Sequence, residues 1–235
     1  MTEPRRSLVA LLPMKANSVR VPSKNFRPLA GKPLFRWILD TLLSMPEIDA
    51  VIINTDARQI LADNGLVDGE AGGRVIIRDR KPEICGDLVS MNLVLADDVQ
   101  NVAADAYLMT HTTNPLLSAT TLSAAVASYR AGVEAGTADS LFTVNKHQTR
   151  FYREDASPVN HDPDNLIPTQ DLEPWFEENS NAYIFSGDSF LTTNARIGSR
   201  PIMFETTKLE SVDIDGPDDW ALAEALALQL HGKQG

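Results

Sequence analysis

Apolar residues along the chain alternate between short unbroken runs and longer stretches in which they recur every three or four positions. Residues 8–13 (LVALLP) form the first run, rich in strand formers, and a polar loop containing Pro22 leads to a helix-like stretch from Pro33 to about Ser44. Residues 50–54 (AVIIN) read as a second buried strand, 57–65 as a helix stopped by Gly65, and 74–78 (RVIIR) as a third strand. The pattern continues with helical spacing over 89–101, a strand at 106–110, a helix at 119–132 and a strand at 139–145. Such alternation predicts an α/β fold with a mainly parallel sheet, right-handed crossovers and helices on both faces, three layers in all. Ligands on sheets of this kind bind beyond the carboxyl ends of the strands.

The alternation breaks at 146–180, which holds Pro158, Pro163, Pro168 and Pro174 among mixed polar residues and reads as an excursion from the sheet. A stretch this long within a compact domain is usually functional or an interaction element. Beyond it, 182–186, 202–205 and 211–215 (SVDID) read as strands, and 217–231 as an amphipathic helix begun by Pro217. A single domain over residues 1–235 is the default for this length.

Composition narrows the function. The chain is 43% hydrophobic and 23% charged, and it has no apolar run long enough for a membrane span. The apolar run near the N-terminus ends at Lys15 without a small-residue cleavage site, so it reads as a strand and not a leader. Cys85 is the only cysteine, which excludes an intrachain disulfide and fits a reducing cytoplasm. A net charge of −11 argues against broad binding to nucleic acid. Yet residues 14–39 carry Lys15, Arg20, Lys24, Arg27, Lys32 and Arg36 and no acid. A cationic island in an acidic protein points to a small anionic ligand.

That island lies in PMKANSVRVPSKNFRPLAGKPLFR, residues 13–36, a loop leaving the first strand whose amides and cations suit a triphosphate. It has neither the P-loop spacing nor the dinucleotide GxGxxG. Lys15, Ser18, Arg20, Pro22, Lys24 and Asn25, followed by Leu29, Gly31, Lys32, Pro33 and Leu34, resemble the first motif of the acylneuraminate cytidylyltransferases and the related 3-deoxy-manno-octulosonate cytidylyltransferases. Residues 54–56 (NTD), 80–87 (RKPEICGD), 111–117 (HTTNPLL) and 211–215 continue the resemblance in order.

The resemblance implies a Rossmann-like nucleotidyltransferase fold and transfer of CMP from CTP to a sugar acid. It implies that Lys15, Asn17, Ser18, Arg20, Lys24, Asn25 and Arg80 hold the nucleotide, with Lys24 also catalytic. His111 and Thr169 fall to the sugar acid, and Asp213 and Asp215 to Mg²⁺ and catalysis; with Thr169 in the arginine's place, Lys146, Arg150 and Arg153, in the stretch entering the excursion, are the nearest cationic candidates for the acid's carboxylate. It further implies a homodimer, since members with a comparable insertion exchange it across a two-fold axis. The acid pair has its own physical argument. Residues i and i+2 of a strand share a face. Two carboxylates about 5 Å apart at an effective dielectric of ~20 repel by roughly 3 kcal/mol, which a divalent cation reverses.

Other readings stand beside these. The basic residues could form a solvated surface, His111 could be a hydrogen-bonded loop residue, and Asp215 or Gly216 could cap the helix that Pro217 starts. Cys85 reads as inert. Lys15 replaces the usual arginine of the loop, Val19 stands where a lysine or small residue is common, and Thr169 stands where an arginine would grip a sialic-acid carboxylate. Use of GTP, transfer to a sugar or alditol phosphate, and a non-catalytic nucleotide-binding paralogue are the rival functions.

Overall fold

The computed structural model describes residues 7–18 and 20–231. The strands are β1 (Leu8–Leu11), β2 (Pro28–Leu29), β3 (Lys32–Pro33), β4 (Ala50–Thr55), β5 (Val75–Asp79), β6 (Ala106–Thr110), β7 (Ser140–His147), β8 (Trp175–Phe185) and β9 (Pro201–Glu205). The helices are α1 (Leu34–Ser44), α2 (Arg58–Asp63), a four-residue turn α3 (Glu70–Gly73), α4 (Met91–Asn101), α5 (Ala119–Glu134), α6 (Gly187–Thr193) and α7 (Pro217–His231).

Seven strands form one sheet in the order β5-β4-β1-β6-β8-β7-β9, and β2 and β3 form a small hairpin apart from it. The β5-β4-β1-β6 half is parallel throughout, whereas β8 runs antiparallel to both β6 and β7. Period-two alternation along β1 separates the two faces: Leu8 and Ala10 join the core under α1 and α5, while Val9 and Leu11 join the core under α4 and α6. A third apolar cluster seats α7 against the loop before α1, through Val21, Leu29, Leu34, Trp37, Ile214, Trp220 and Ala223. The three layers and the mainly parallel sheet are those expected from the sequence.

Three details differ. Residues 211–215 form no strand: Ile214 N–H donates to Thr113 O (2.9 Å) and Asp215 N–H to Asp219 Oδ2 (3.1 Å), so the segment crosses the end of β6 as a loop pinned by buried Ile214. The V-D-I-D alternation reflects buried Ile214 and the partly buried Val212 packed against the same cluster. The excursion is shorter than its composition suggests, because β7 runs on to His147 and β8 begins at Trp175, with Lys146 opposite Phe176 and His147 opposite Trp175. Its irregular part is 148–174. Helix α6 was not expected, although Ser186 caps it in the ordinary way by accepting from Ser189 N–H (3.1 Å).

Candidate active site

A cleft of about 360 Å³ opens beyond the carboxyl ends of β1, β5 and β6, as parallel sheets dictate. Its walls include Lys15, Asn17, Ser18, Arg20, Lys24 and Asn25 from the cationic loop, Arg80 after β5, Gly86 and Asp87, Met91 and Val94 of α4, and His111, Thr112 and Thr113 after β6. All seven residues expected to hold a nucleotide therefore meet in one place, together with His111. Val19 lies outside the described residues.

Two of the seven are braces. Asn25 is buried; its amide donates to Lys15 O (2.9 Å), and its Oδ1 accepts from Thr112 Oγ1 (2.6 Å), which ties the loop to the end of β6. Arg80 donates from Nε to Asn54 Oδ1 (3.0 Å), and from Nη2 to Asn54 O (2.8 Å) and Met14 O (3.0 Å). It thus clamps the ends of β1, β4 and β5 together, and Nη1 is the end with donors to offer a ligand. Beneath it Asn54 donates to Asp98 Oδ1 (2.9 Å), and Asp98 and Asp97 pair with Arg78. Asp56 also fixes the loop, accepting from Ala16 N–H at 2.7 Å.

Not every cation of the island serves the cleft. Arg27 lies over the Trp220 ring at 4.3 Å, Lys32 over Trp37 at 4.5 Å, and Arg36 pairs with Glu70. These three hold α1 and α7 in place. Lys15, Arg20 and Lys24 line the cleft, each against an acid: Lys15 Nζ is 2.5 Å from Asp87 Oδ1, Arg20 Nη2 is 3.0 Å from Asp215 Oδ1, and Lys24 Nζ is 3.7 Å from the same oxygen. Lys24 also donates to Ile214 O (2.6 Å), and its side chain is only 11% exposed. Burial lowers its pKa, with Asp215 and Asp213 opposing.

The acid pair sits beside these cations although its segment is a loop. The side chain of Asp219, not that of Asp215, receives the N–H groups of Asp215 (3.1 Å) and Gly216 (2.8 Å), so the Asp215 carboxylate faces Arg20 and Lys24 instead of capping α7. Burial, first, and the neighbouring Asp215 push the Asp213 carboxyl above its ordinary pKa, with the Thr113 side chain and Lys24 opposing. Asp213 Oδ1 is buried without a hydrogen-bond partner. An orphaned carboxylate oxygen beside a second carboxylate is a hard oxygen-donor pair of the kind Mg²⁺ takes when phosphates and water complete its shell. No cluster of three His, Cys, Asp or Glu is found among the described residues.

His111 is half-buried at the cleft wall; burial, then Arg196, then Lys24 lower its pKa to about 3, so it is neutral at neutral pH. The remaining candidates lie apart. Lys146 is exposed on β7 opposite Phe176, Arg150 Nη2 donates to Ile167 O (2.7 Å), Arg153 Nη1 reaches Ser157 and Pro158 within the excursion, and Thr169 opens an exposed turn. None of the four lines the cleft. Sequence reasoning overlooked Asp87, Thr112 and Thr113, which lie inside stretches it did single out, and Arg196, which lies outside all of them.

The chain is 26% identical over 230 residues to CMP-N,N'-diacetyllegionaminic acid synthase of Legionella pneumophila, covering 93% of this chain and 95% of that protein. It is 27% identical over 233 residues to N-acylneuraminate cytidylyltransferase A of Danio rerio, covering 96% of this chain and 52% of the relative. It thus spans nearly all of the first relative and about half of the second. Among solved structures, CMP:2-keto-3-deoxy-manno-octonic acid synthetase complexed with CTP superposes with a TM-score of 0.67 at 15% identity, covering 95% of this chain and 99% of the other. A 4-diphosphocytidyl-2C-methyl-D-erythritol synthase from Anaerococcus prevotii gives 0.64 at 13%, covering 95% and 96%. These two likenesses concern the fold. Residues 9–233 match the cytidylyltransferase family, and the chain belongs to it.

Proposed function

We propose that this cytidylyltransferase joins CMP from CTP to the anomeric hydroxyl of an ulosonic acid and releases pyrophosphate. The observation that carries the reading is the convergence of Lys15, Arg20 and Lys24 on one cleft, two of them against Asp215. A triphosphate entering there displaces Asp87 and Asp215 from their cations and exchanges carboxylate for phosphate. The substrate hydroxyl attacks the α-phosphorus in line, an oxygen–phosphorus bond forms, and the bond to the bridging β-oxygen breaks. Lys24, Arg20 and Lys15 neutralise charge on the phosphates as the leaving group departs. Asp213, whose carboxyl burial holds above its ordinary pKa, takes the hydroxyl proton. Asp213 and Asp215 would also hold Mg²⁺, which when bound supplies charge neutralisation on substrate and phosphate oxygens. No helix among the described residues is long and apolar enough to cross a membrane, and the single cysteine fits a cytoplasmic enzyme.

The relatives' names favour the sugar acid: one is a synthase of CMP-N,N'-diacetyllegionaminic acid and the other an N-acylneuraminate cytidylyltransferase. Thr169, where the resemblance calls for an arginine, lies on an exposed turn outside the cleft, so the reading extends to the ulosonic acids as a class. A pyrophosphate-release screen of CTP, GTP, UTP and ATP against ulosonic acids, sugar phosphates and alditol phosphates checks this. The expected outcome is turnover with CTP and an ulosonic acid alone. Turnover with a sugar or alditol phosphate, or nucleotide binding without turnover, would replace the reading by one of its rivals.

A further inference from the structure

Arg196 follows α6, and its guanidinium lies over the Tyr183 ring at 3.8 Å, with Nη2 3.3 Å from Glu178 Oε1. Its side chain is 21% exposed, so a long and normally mobile group is held in one arrangement with an edge toward solvent. Together with Ala195 and Ile197 it forms one wall of a depression of about 320 Å³, across from Ser90, Met91 and Asn92 at the start of α4. Met91 is also a wall of the nucleotide cleft, so the two depressions lie on either side of one residue. The field of Arg196 reaches into that cleft, where it acts on His111 as Lys24 does.

We propose that Arg196 binds the carboxylate of the sugar acid, an assignment that rests on the function proposed above. In an ulosonic acid the carboxylate is attached to the anomeric carbon, the same carbon that bears the attacking hydroxyl. Its binding group must therefore lie next to the triphosphate site yet be distinct from the cations that hold phosphate. Arg196 meets both conditions. A guanidinium presents paired N–H groups to a carboxylate, and with Glu178 engaging Nη2 the rest of the fork serves the ligand. Stacking on Tyr183 fixes the fork before substrate arrives, so little side-chain freedom is lost on binding. Arg150 and Arg153, by contrast, donate to the excursion's own backbone and hydroxyls. Neutral His111 at the boundary adds no competing charge.

The test compares native enzyme with Arg196→Gln and Arg196→Lys, using ulosonic acids and their methyl esters as acceptors and calorimetry for CTP binding. Arg196→Gln should raise KM for the acid about 10- to 100-fold, the scale of a lost charge-assisted pair. It should leave the Kd for CTP within about three-fold, and Arg196→Lys should fall between. The native preference for acid over ester should largely vanish in Arg196→Gln, a change that general loosening of the loop would not produce. If acid and ester are discriminated equally by native and variant enzymes, or if the acid KM is unmoved, Arg196 does not bind the carboxylate. If native enzyme turns over no ulosonic acid but does turn over a sugar phosphate, the underlying function is wrong, and the assignment of Arg196 falls with it.

Discussion

Asp213 and Asp215 carry the clearest single-residue test. Replacing either with Asn keeps its size and removes a charge felt mainly in the transition state. Each variant is expected to lose at least about 100-fold in kcat with an unchanged circular dichroism spectrum. EDTA should abolish activity and added Mg²⁺ restore it, and full turnover in chelator would remove the metal from the account. The two carboxylates were legible because they alternate with Val212 and Ile214, but the strand used to place them on one face does not exist. What keeps them together is Ile214, fixed in the core between them. Lys15, Arg20 and Lys24 were legible as a group because they crowd one acid-free loop. Arg196 was not, because it stands alone in an ordinary A-R-I-G stretch, and only the packing of Tyr183 beneath it gives it a direction.

At the level of elements, β4, β5 and α4 meet in a buried polar knot. Asp98 is fully buried there, and burial outweighs Asn54 and Arg78 in raising its pKa from 3.8 to about 6. Below pH 3.8 both folded and unfolded chains hold the proton, and Asp98 has no effect on the slope. Between there and about 6 the folded chain alone holds it, so stability falls as pH rises, and above 6 the penalty is complete. That shift corresponds to about 3 kcal/mol as an order of magnitude. Urea unfolding of native and Asp98→Asn proteins should show the native losing ground to the variant by up to that amount between pH 4 and pH 7. A pH-independent difference would mean that Arg78 keeps Asp98 ionised throughout. The elements that create the knot were legible from their apolar runs, since β4, β5 and α4 all fall within two residues of where periodicity put them. Antiparallel β8 was only half legible, because its first residues, Trp175 to Glu178, are exposed and lack the apolar signature of a buried strand.

For the whole molecule, that exposed part of β8 and the 148–174 segment carry an apolar surface of Tyr152, Leu166, Ile167, Trp175 and Phe176, with Trp175 stacked on Phe151 at 5.3 Å. We propose that a second copy of the chain covers it in an isologous homodimer, the commonest closed arrangement. Light scattering at micromolar concentration should give twice the 25.7 kDa chain mass, and Tyr152→Asp combined with Leu166→Asp should give the monomer. A native monomer would count against the dimer. The cleft is built differently from this arm. Because Arg80 clamps three strand ends through one guanidinium, the cleft floor is held by the chain's own hydrogen bonds and needs no nucleotide to fix it. The chain therefore loses that conformational freedom once, during folding, and not again at every turnover, so more of each phosphate contact survives as affinity. Loosening the clamp would show as a nucleotide that binds with a larger entropic loss, even where every group that touches it is intact.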